Sequence, residues 1–186
     1  MKRNQITAHF SGELILSAVV YIAFFYFNDW VTGYLEYSKG VNWVYLPAGM
    51  RLFLVLIFAL PGAFGIAIAS FLISYCGGYS YGLITCIGIG FISGFAPYFA
   101  RMVVVSNDIL MSDLNNLNLY KLLACILIFA LISSGLHQCW FIFRDLNSGS
   151  LDNWFVMFVG DVVGSILVVA LIKQGVDVYR SYQSKT

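Results

Sequence analysis

An ionisable side chain inside a long apolar stretch is costly, so such positions are where chemistry is to be sought. Asp161 stands within WFVMFVGDVVGSILVVALI, and Arg51 follows LPAGM in a second apolar run. An unpaired carboxylate in hydrocarbon costs at least ~3 kcal/mol on insertion scales, so Asp161 must be protonated, paired or hydrated. Arginine keeps its charge and needs a carboxylate, backbone carbonyls or a route for its head to water. Arg51 and Asp161 are therefore natural partners. They either form a pair that fixes helix packing or line a polar cavity or ligand site open to the outside. A third arrangement leaves Arg51 snorkelling beside a protonated Asp161.

His137 lies in SSGLHQCW, where Ser133, Ser134, His137 and Gln138 share one polar face at helical spacing. Hydrogen bonding between helices accounts for such a face; proton relay or ligand binding is its functional reading. Arg51, Asp161, His137 and Gln138 make up the expected ligand or coupling centre. Glu13 opens the first apolar run, where a helix N-terminus suits a carboxylate. The other histidine, His9, falls at the opposite end of its helix from His137, which excludes a haem held between the two. Cys76, Cys86, Cys125 and Cys139 show no CxxC or CxxCH spacing. Cys76, Cys86 and Cys139 gather near one side, either as an outer disulfide or as buried thiols. No nucleophile–base pair, metal cluster or phosphate loop is visible. No catalytic residue, metal or cofactor is expected, and the chain reads as non-enzymatic.

The elements that carry these residues follow from composition. Of 186 residues, 60% are hydrophobic and only 10% charged, and the mean hydropathy is +0.84. An average soluble domain carries about 25% charged residues, so this chain cannot cover a water-facing surface. A net charge of +1 gives no basic face for nucleic acid. The class is all-α, a polytopic membrane bundle of about six helices forming one domain over 1–186. The helices are expected at 12–28, 44–60, 62–76, 81–100, 120–143 and 151–173. Bulky Phe24 to Phe27 stand where a signal-peptide cleavage site would need small residues. Pro61 and Gly62 divide the second region into two short helices.

Lys and Arg set the orientation. With the N-terminus inside, Lys2, Arg3, Arg101, Lys121, Lys173, Arg180 and Lys185 are cytoplasmic, against Lys39 and Arg144 outside. Trp30, Trp43, Trp140 and Trp154 all fall at outer helix ends, joined by Tyr45, Tyr75, Tyr79 and Tyr81. Indole favours that interface. The chain is thus expected in a cell inner membrane with both termini cytoplasmic. The long inner loop predicts an interfacial helix at 107–118, and Asp108, Leu110, Leu114 and Leu117 are its candidate partner surface. Small residues punctuate three spans: Gly62, Gly65 and Ala69, then Gly82, Gly88, Gly90 and Gly94, then Gly160 and Gly164 around Asp161. Close helix packing is what such stripes serve; the glycines flanking Asp161 also leave room for water or a ligand.

Two segments resemble a known family. WVYLPAGMRLFLVLIFALPGAFGIAIASFL, with Pro47, Ala48 and Gly49, and WFVMFVGDVVGSILVVALI, with Trp154, Gly160, Asp161 and Gly164, resemble the first type of membrane-associated sensor domain. They cover roughly a quarter of the chain. In that family the membrane domain usually precedes a histidine kinase or cyclic-dinucleotide enzyme. Here the helices are fewer and the sequence stops at Thr186 without an output domain. The resemblance therefore implies a free-standing sensory module that acts through a separate membrane or cytoplasmic protein partner, with Arg51 and Asp161 as the place of binding. A substrate-binding subunit of a vitamin-type, energy-coupling-factor transporter is the alternative, although helix one lacks an Ala-x-x-x-Ala docking face. An accessory subunit of a larger membrane complex is the third. The expected partners are the lipid bilayer, that protein, and a small ligand from the outer side.

Overall fold

The computed structural model describes residues 2–77, 81–106 and 119–183. Among them are six α-helices: α1 (Lys2–Thr32), α2 (Leu46–Phe58), α3 (Leu60–Cys76), α4 (Leu83–Ser106), α5 (Leu119–Phe143) and α6 (Leu151–Gln183). The expected interfacial helix 107–118, with Asp108, Leu110, Leu114 and Leu117, lies outside the described residues, as does Tyr79.

Four of the helices, α1, α4, α5 and α6, are long and apolar enough to cross a membrane. α2 and α3 are shorter, at 13 and 17 residues, or ~20 and ~25 Å of helix. The surface of the bundle is apolar. Ile15, Leu16 and Val19 of α1, Ile84 and Ile87 of α4, and Leu127 and Leu131 of α5 are all exposed. The polar residues Arg51, Ser70, Ser93, Ser133, His137 and Asp161 are buried. This is the reverse of a water-facing domain.

The helix ends differ from the sequence expectation. α1 starts at Lys2 rather than at 12, so Glu13 stands inside the helix and not at its N-terminus. The dipole reading of Glu13 therefore fails; its carbonyl instead accepts from the Ser17 hydroxyl at 2.8 Å. α4 extends to Ser106 and α6 to Gln183. Between α1 and α2 the chain forms a 3₁₀ turn (Gly33–Leu35) and a small antiparallel hairpin of β1 (Glu36–Ser38) and β2 (Val41–Asn42). Gly40, at φ 79°, closes it, a conformation that suits glycine. The hairpin marks one end of the bundle. All four tryptophans are near that end: Trp30 late in α1, Trp43 after β2, Trp140 late in α5 and Trp154 at the start of α6.

The break between α2 and α3 falls at Ala59, whose φ of 51° reverses the path. Leu60 and Pro61 then begin α3, where proline's missing N–H costs nothing. α3 packs on α4 through small residues. A Cβ on Gly94 would strike the Ala63 carbonyl, and one on Gly90 the Ala67 carbonyl, as expected of an antiparallel pair. Gly65 meets α1 at Leu14 and Ser17 in the same way. Two apolar clusters fill the interior. One gathers Leu52, Leu56, Ala96, Ala100, Ile126 and Phe129, the other Tyr21, Leu54, Val55, Ile66, Ile73 and Val168.

Candidate functional site

α2 begins against α6, and this contact builds the site. Leu46 N–H donates to the Asn28 side chain of α1 at 2.9 Å, which caps the start of α2 without a Ser, Thr or Asp of its own. Tyr45 N–H donates to the Gly160 carbonyl of α6 at 3.1 Å. A Cβ on Gly160 would collide with the Asn42 carbonyl, and one on Gly164 with that of Tyr45. The Gly-x-x-x-Gly pattern of α6 therefore does two jobs: Gly164 packs against the start of helix α2, at Leu46 and Gly49, and Gly160 seats the non-helical backbone that leads from the hairpin into it. Gly49, one turn into α2, closes the contact against Ser165 and Val168. Pro47 is buried in the first turn of α2, where it is pre-shaped for helix.

That docking places Arg51 beside Asp161. Helical side chains lean toward the N-terminus, so Arg51 reaches back to the level of Asp161 on the parallel α6. One guanidinium nitrogen, Nη2, lies 3.4 Å from Asp161 Oδ1 and 3.5 Å from Oδ2. The same nitrogen lies 3.5 Å from Ser133 Oγ of α5. Both charged side chains are almost fully buried, at 1% and 0% exposure. The rings of Tyr45 and Phe129 flank the guanidinium, each centroid 5.4 Å away. The pair is not a two-pronged fork, because Arg51 Nε has no hydrogen-bond partner. Ser165 Oγ, one turn beyond Asp161, is likewise unpartnered.

A second polar run joins the first through Ser133. His137 Nδ1 lies 2.9 Å from the Ser133 carbonyl. A carbonyl only accepts, so Nδ1 carries the proton and Nε2 of the neutral ring is an acceptor. Ser93 of α4 lies 3.3 Å from that Nε2 and donates to it. Ser70 of α3 donates in turn to Ser93 at 2.9 Å. The hydrogen-bond direction is thus set from Ser70 through Ser93 and His137 to Ser133. Pro97, inside α4, lacks the N–H that would bond the Ser93 carbonyl.

A cavity of about 70 Å³ lies between the two runs and reaches up to the hairpin end. Arg51, Ser70, Ser74, Ser93 and His137 face it, with Tyr21, Tyr45 and Tyr81 among its aromatic walls and Gly40 at its upper limit. The Tyr21 and Tyr45 hydroxyls lie 3.2 Å apart.

The structure therefore brings together Arg51, Asp161 and His137, with Ser133 linking them. Gln138 stands apart. Its carbonyl accepts from Ser150 N–H at 3.1 Å, and its amide donates to Met157 Sδ at 3.8 Å. It ties α5 to the start of α6, where Ser150 Oγ caps Asn153 N–H at 3.1 Å. The four cysteines are free; Cys86 and Cys125 are buried, whereas Cys76 and Cys139 are exposed. Among the described residues no group of three or more His, Cys, Asp or Glu side chains converges. Ser70, Ser74, Ser93, Tyr21 and Tyr45 were not singled out from the sequence as parts of this centre. Pro97 four residues after Ser93 was the one local signal, since a mid-helix proline frees a carbonyl. Comparison of the chain with family models, with curated proteins and with solved structures gives no significant match.

Proposed function

We infer that the chain is a multi-pass inner-membrane protein of six spanning helices with both ends cytoplasmic. It acts as a sensory or partner-binding module, without catalysis of its own, and passes its state to a separate protein. The observation that carries this reading is the buried Arg51–Asp161 pair beside a polar cavity that rises to the hairpin end. An apolar core would have cost less to build than a desolvated pair with an idle donor, and such groups inside a span are functional by default.

Orientation rests on charge and aromatic belts. Lys39 and Arg144 belong to the hairpin end, whereas Arg101, Lys121, Lys173 and Arg180 belong to the other end. The hairpin end is then the outer one, and a ligand enters from there. α2 and α3 are short against a ~30 Å hydrocarbon core, and a locally thinner bilayer accommodates them. Arg51 and Asp161 stand on different helices, so occupancy near them biases α2 against α6. The last buried residue of α6 is Val168, and the helix continues to Gln183, ~22 Å further. This projection carries the change to the partner. A cavity of about 70 Å³ suits a small signal molecule better than vitamin-sized cargo, for which sites of ~300 Å³ or more are usual.

The test is a mild-detergent pull-down of the tagged chain from its native membrane, followed by mass spectrometry. A stoichiometric partner is expected. Coupling ATPases in its place would move the assignment to the transporter subunit. Recovery of the protein alone would remove the partner from the scheme.

A further inference from the structure

The wall of the cavity offers no net charge. The Arg51 charge is balanced by Asp161, and its Nε is enclosed. His137 donates through Nδ1 and accepts at Nε2, so its ring is neutral. The Tyr21 and Tyr45 hydroxyls bond each other. A charged solute would lie here without a counter-charge, at a large desolvation cost.

Two hydroxyl oxygens of α3 are left for a ligand. Ser11, Ser17, Thr32 and Ser134 each donate to the carbonyl four residues back. Ser74 lines the cavity at 7% exposure and has no hydrogen bond among the described residues. Its hydroxyl is open both to donate and to accept. Ser70, one turn before it, lines the same cavity and has given its proton to Ser93, so it is left as an acceptor. Residues four apart on a helix have Cβ atoms ~5–6 Å apart. One ligand oxygen between the two serines therefore reaches both at ~2.8 Å. It must donate to Ser70 and accept from Ser74. A hydroxyl does both, whereas a ketone oxygen only accepts.

The opposite wall sets the remainder of the ligand. Phe25, Ile73, Ile89 and Met157 make it apolar. Water would satisfy the serines and leave that wall wetted, whereas an alkyl tail covers it. A water occupies ~10–15 Å³ of such space, and a cavity of ~150 Å³ admits benzene. About 70 Å³ holds a molecule of about four or five heavy atoms.

We propose that this cavity is a binding site for a short uncharged aliphatic alcohol of propanol or butanol size. The hydroxyl sits between Ser70 and Ser74, and the alkyl tail lies against the Phe25–Ile73–Met157 wall. The proposal rests on the reading of this cavity as the module's ligand site, but not on the existence of a partner protein.

The full chain, carrying ¹³C-methyl methionine, is titrated in nanodiscs with 2-propanol while its methyl NMR signals are followed. Met157 lines the cavity, and its signal is identified by its loss in Met157→Leu. Met102, exposed on α4, reports what the alcohol does to solvent and lipid. Acetone and acetate keep the same skeleton as a ketone and an anion. The Met157 signal is expected to shift with saturation, half-complete at about 1–20 mM 2-propanol, while Met102 drifts without saturating. Acetone and acetate are expected to bind at least ~5-fold more weakly, and Ser74→Ala to weaken 2-propanol by a similar factor. Equal affinity for acetone, or for the Ser74→Ala variant, overturns the serine–hydroxyl assignment. Tighter binding of acetate overturns the neutral class. In both cases a saturable Met157 shift keeps the cavity as a ligand site. A Met157 response no different from that of Met102 with all three probes overturns the proposal and the ligand site together. The pull-down decides the partner independently of these outcomes.

Discussion

At the scale of single residues, Arg51 and Asp161 dominate the energetics. Each was legible in the sequence as an expensive group, and their pairing followed from there being one buried cation and one buried carboxylate to satisfy. The quality of the pairing was not legible. Only one nitrogen of Arg51 meets Asp161, and Ser133 shares it, which depends on how α5 is rotated against α2. Gln138 shows the same limit. It is next to His137 in sequence and on the same polar face, yet it faces the α5–α6 connection. Helical spacing gives the face, and only the neighbours decide which of its residues reach the centre.

The pair has a defined consequence for stability. Asp161→Asn leaves a buried guanidinium without a counter-charge, and breaking such a pair costs about 3–5 kcal/mol. Arg51→Met alone strands the carboxylate, which can escape by taking a proton, so its cost is expected to be smaller. The double variant Arg51→Met, Asp161→Leu removes both charges and is expected to recover most of the loss. Thermal unfolding of the four proteins in one detergent measures this cycle. Additive losses in the double variant would mean that the two side chains do not stabilise each other.

At the scale of elements, the six helices were readable because apolar runs and their punctuation are local. Pro61 and Gly62 divided α2 from α3, and the expected start of helix two at 44 falls two residues before that of α2 at Leu46. The hairpin of β1 and β2 escaped because Glu36–Ser38 and Val41–Asn42 are too short to alternate visibly. The helix-packing reading of the α6 glycines holds for Gly164 against α2, whereas Gly160 takes the extended segment before it. Gly-x-x-x-Gly usually seats a second helix, and a sequence pattern does not distinguish a helix from an extended segment that needs the same room.

This assignment predicts opposite outcomes for two glycines of one helix. Gly164→Ala drives a methyl into the Tyr45 carbonyl, which must displace the backbone entering α2. A loss of about 1–3 kcal/mol is expected from such overpacking. Gly175→Ala meets nothing within 4 Å and is expected to be neutral or to stabilise by up to ~1 kcal/mol, since alanine favours helix. Unfolding of the two variants beside the parent separates them. Equal small effects would place the 42–46 segment away from α6.

At the scale of the whole molecule, the inverted distribution of polarity follows from composition alone: a chain with so few charges has to leave apolar residues on its surface. Trp30 at 82% exposure and Leu151 at 83% would be a liability in water and are ordinary at a bilayer interface or in lipid. The direction in which the bundle is threaded follows from its ends. In the proposed topology six crossings return the chain to the side on which it began, which puts the N-terminus of α1 and the C-terminus of α6 in one compartment, opposite the hairpin. Cysteine labelling in a cysteine-free background decides this. Lys39→Cys is exposed in the hairpin and Tyr182→Cys in the projecting end of α6. In intact cells a membrane-impermeant maleimide is expected to label the first and to reach the second only after lysis. Labelling of both sites before lysis would mean an odd number of crossings, with α2 and α3 together making one full pass instead of two. The reverse labelling would invert the bundle, place the Arg51 cavity toward the cytoplasm and turn the proposed signal from an external molecule into a metabolic one.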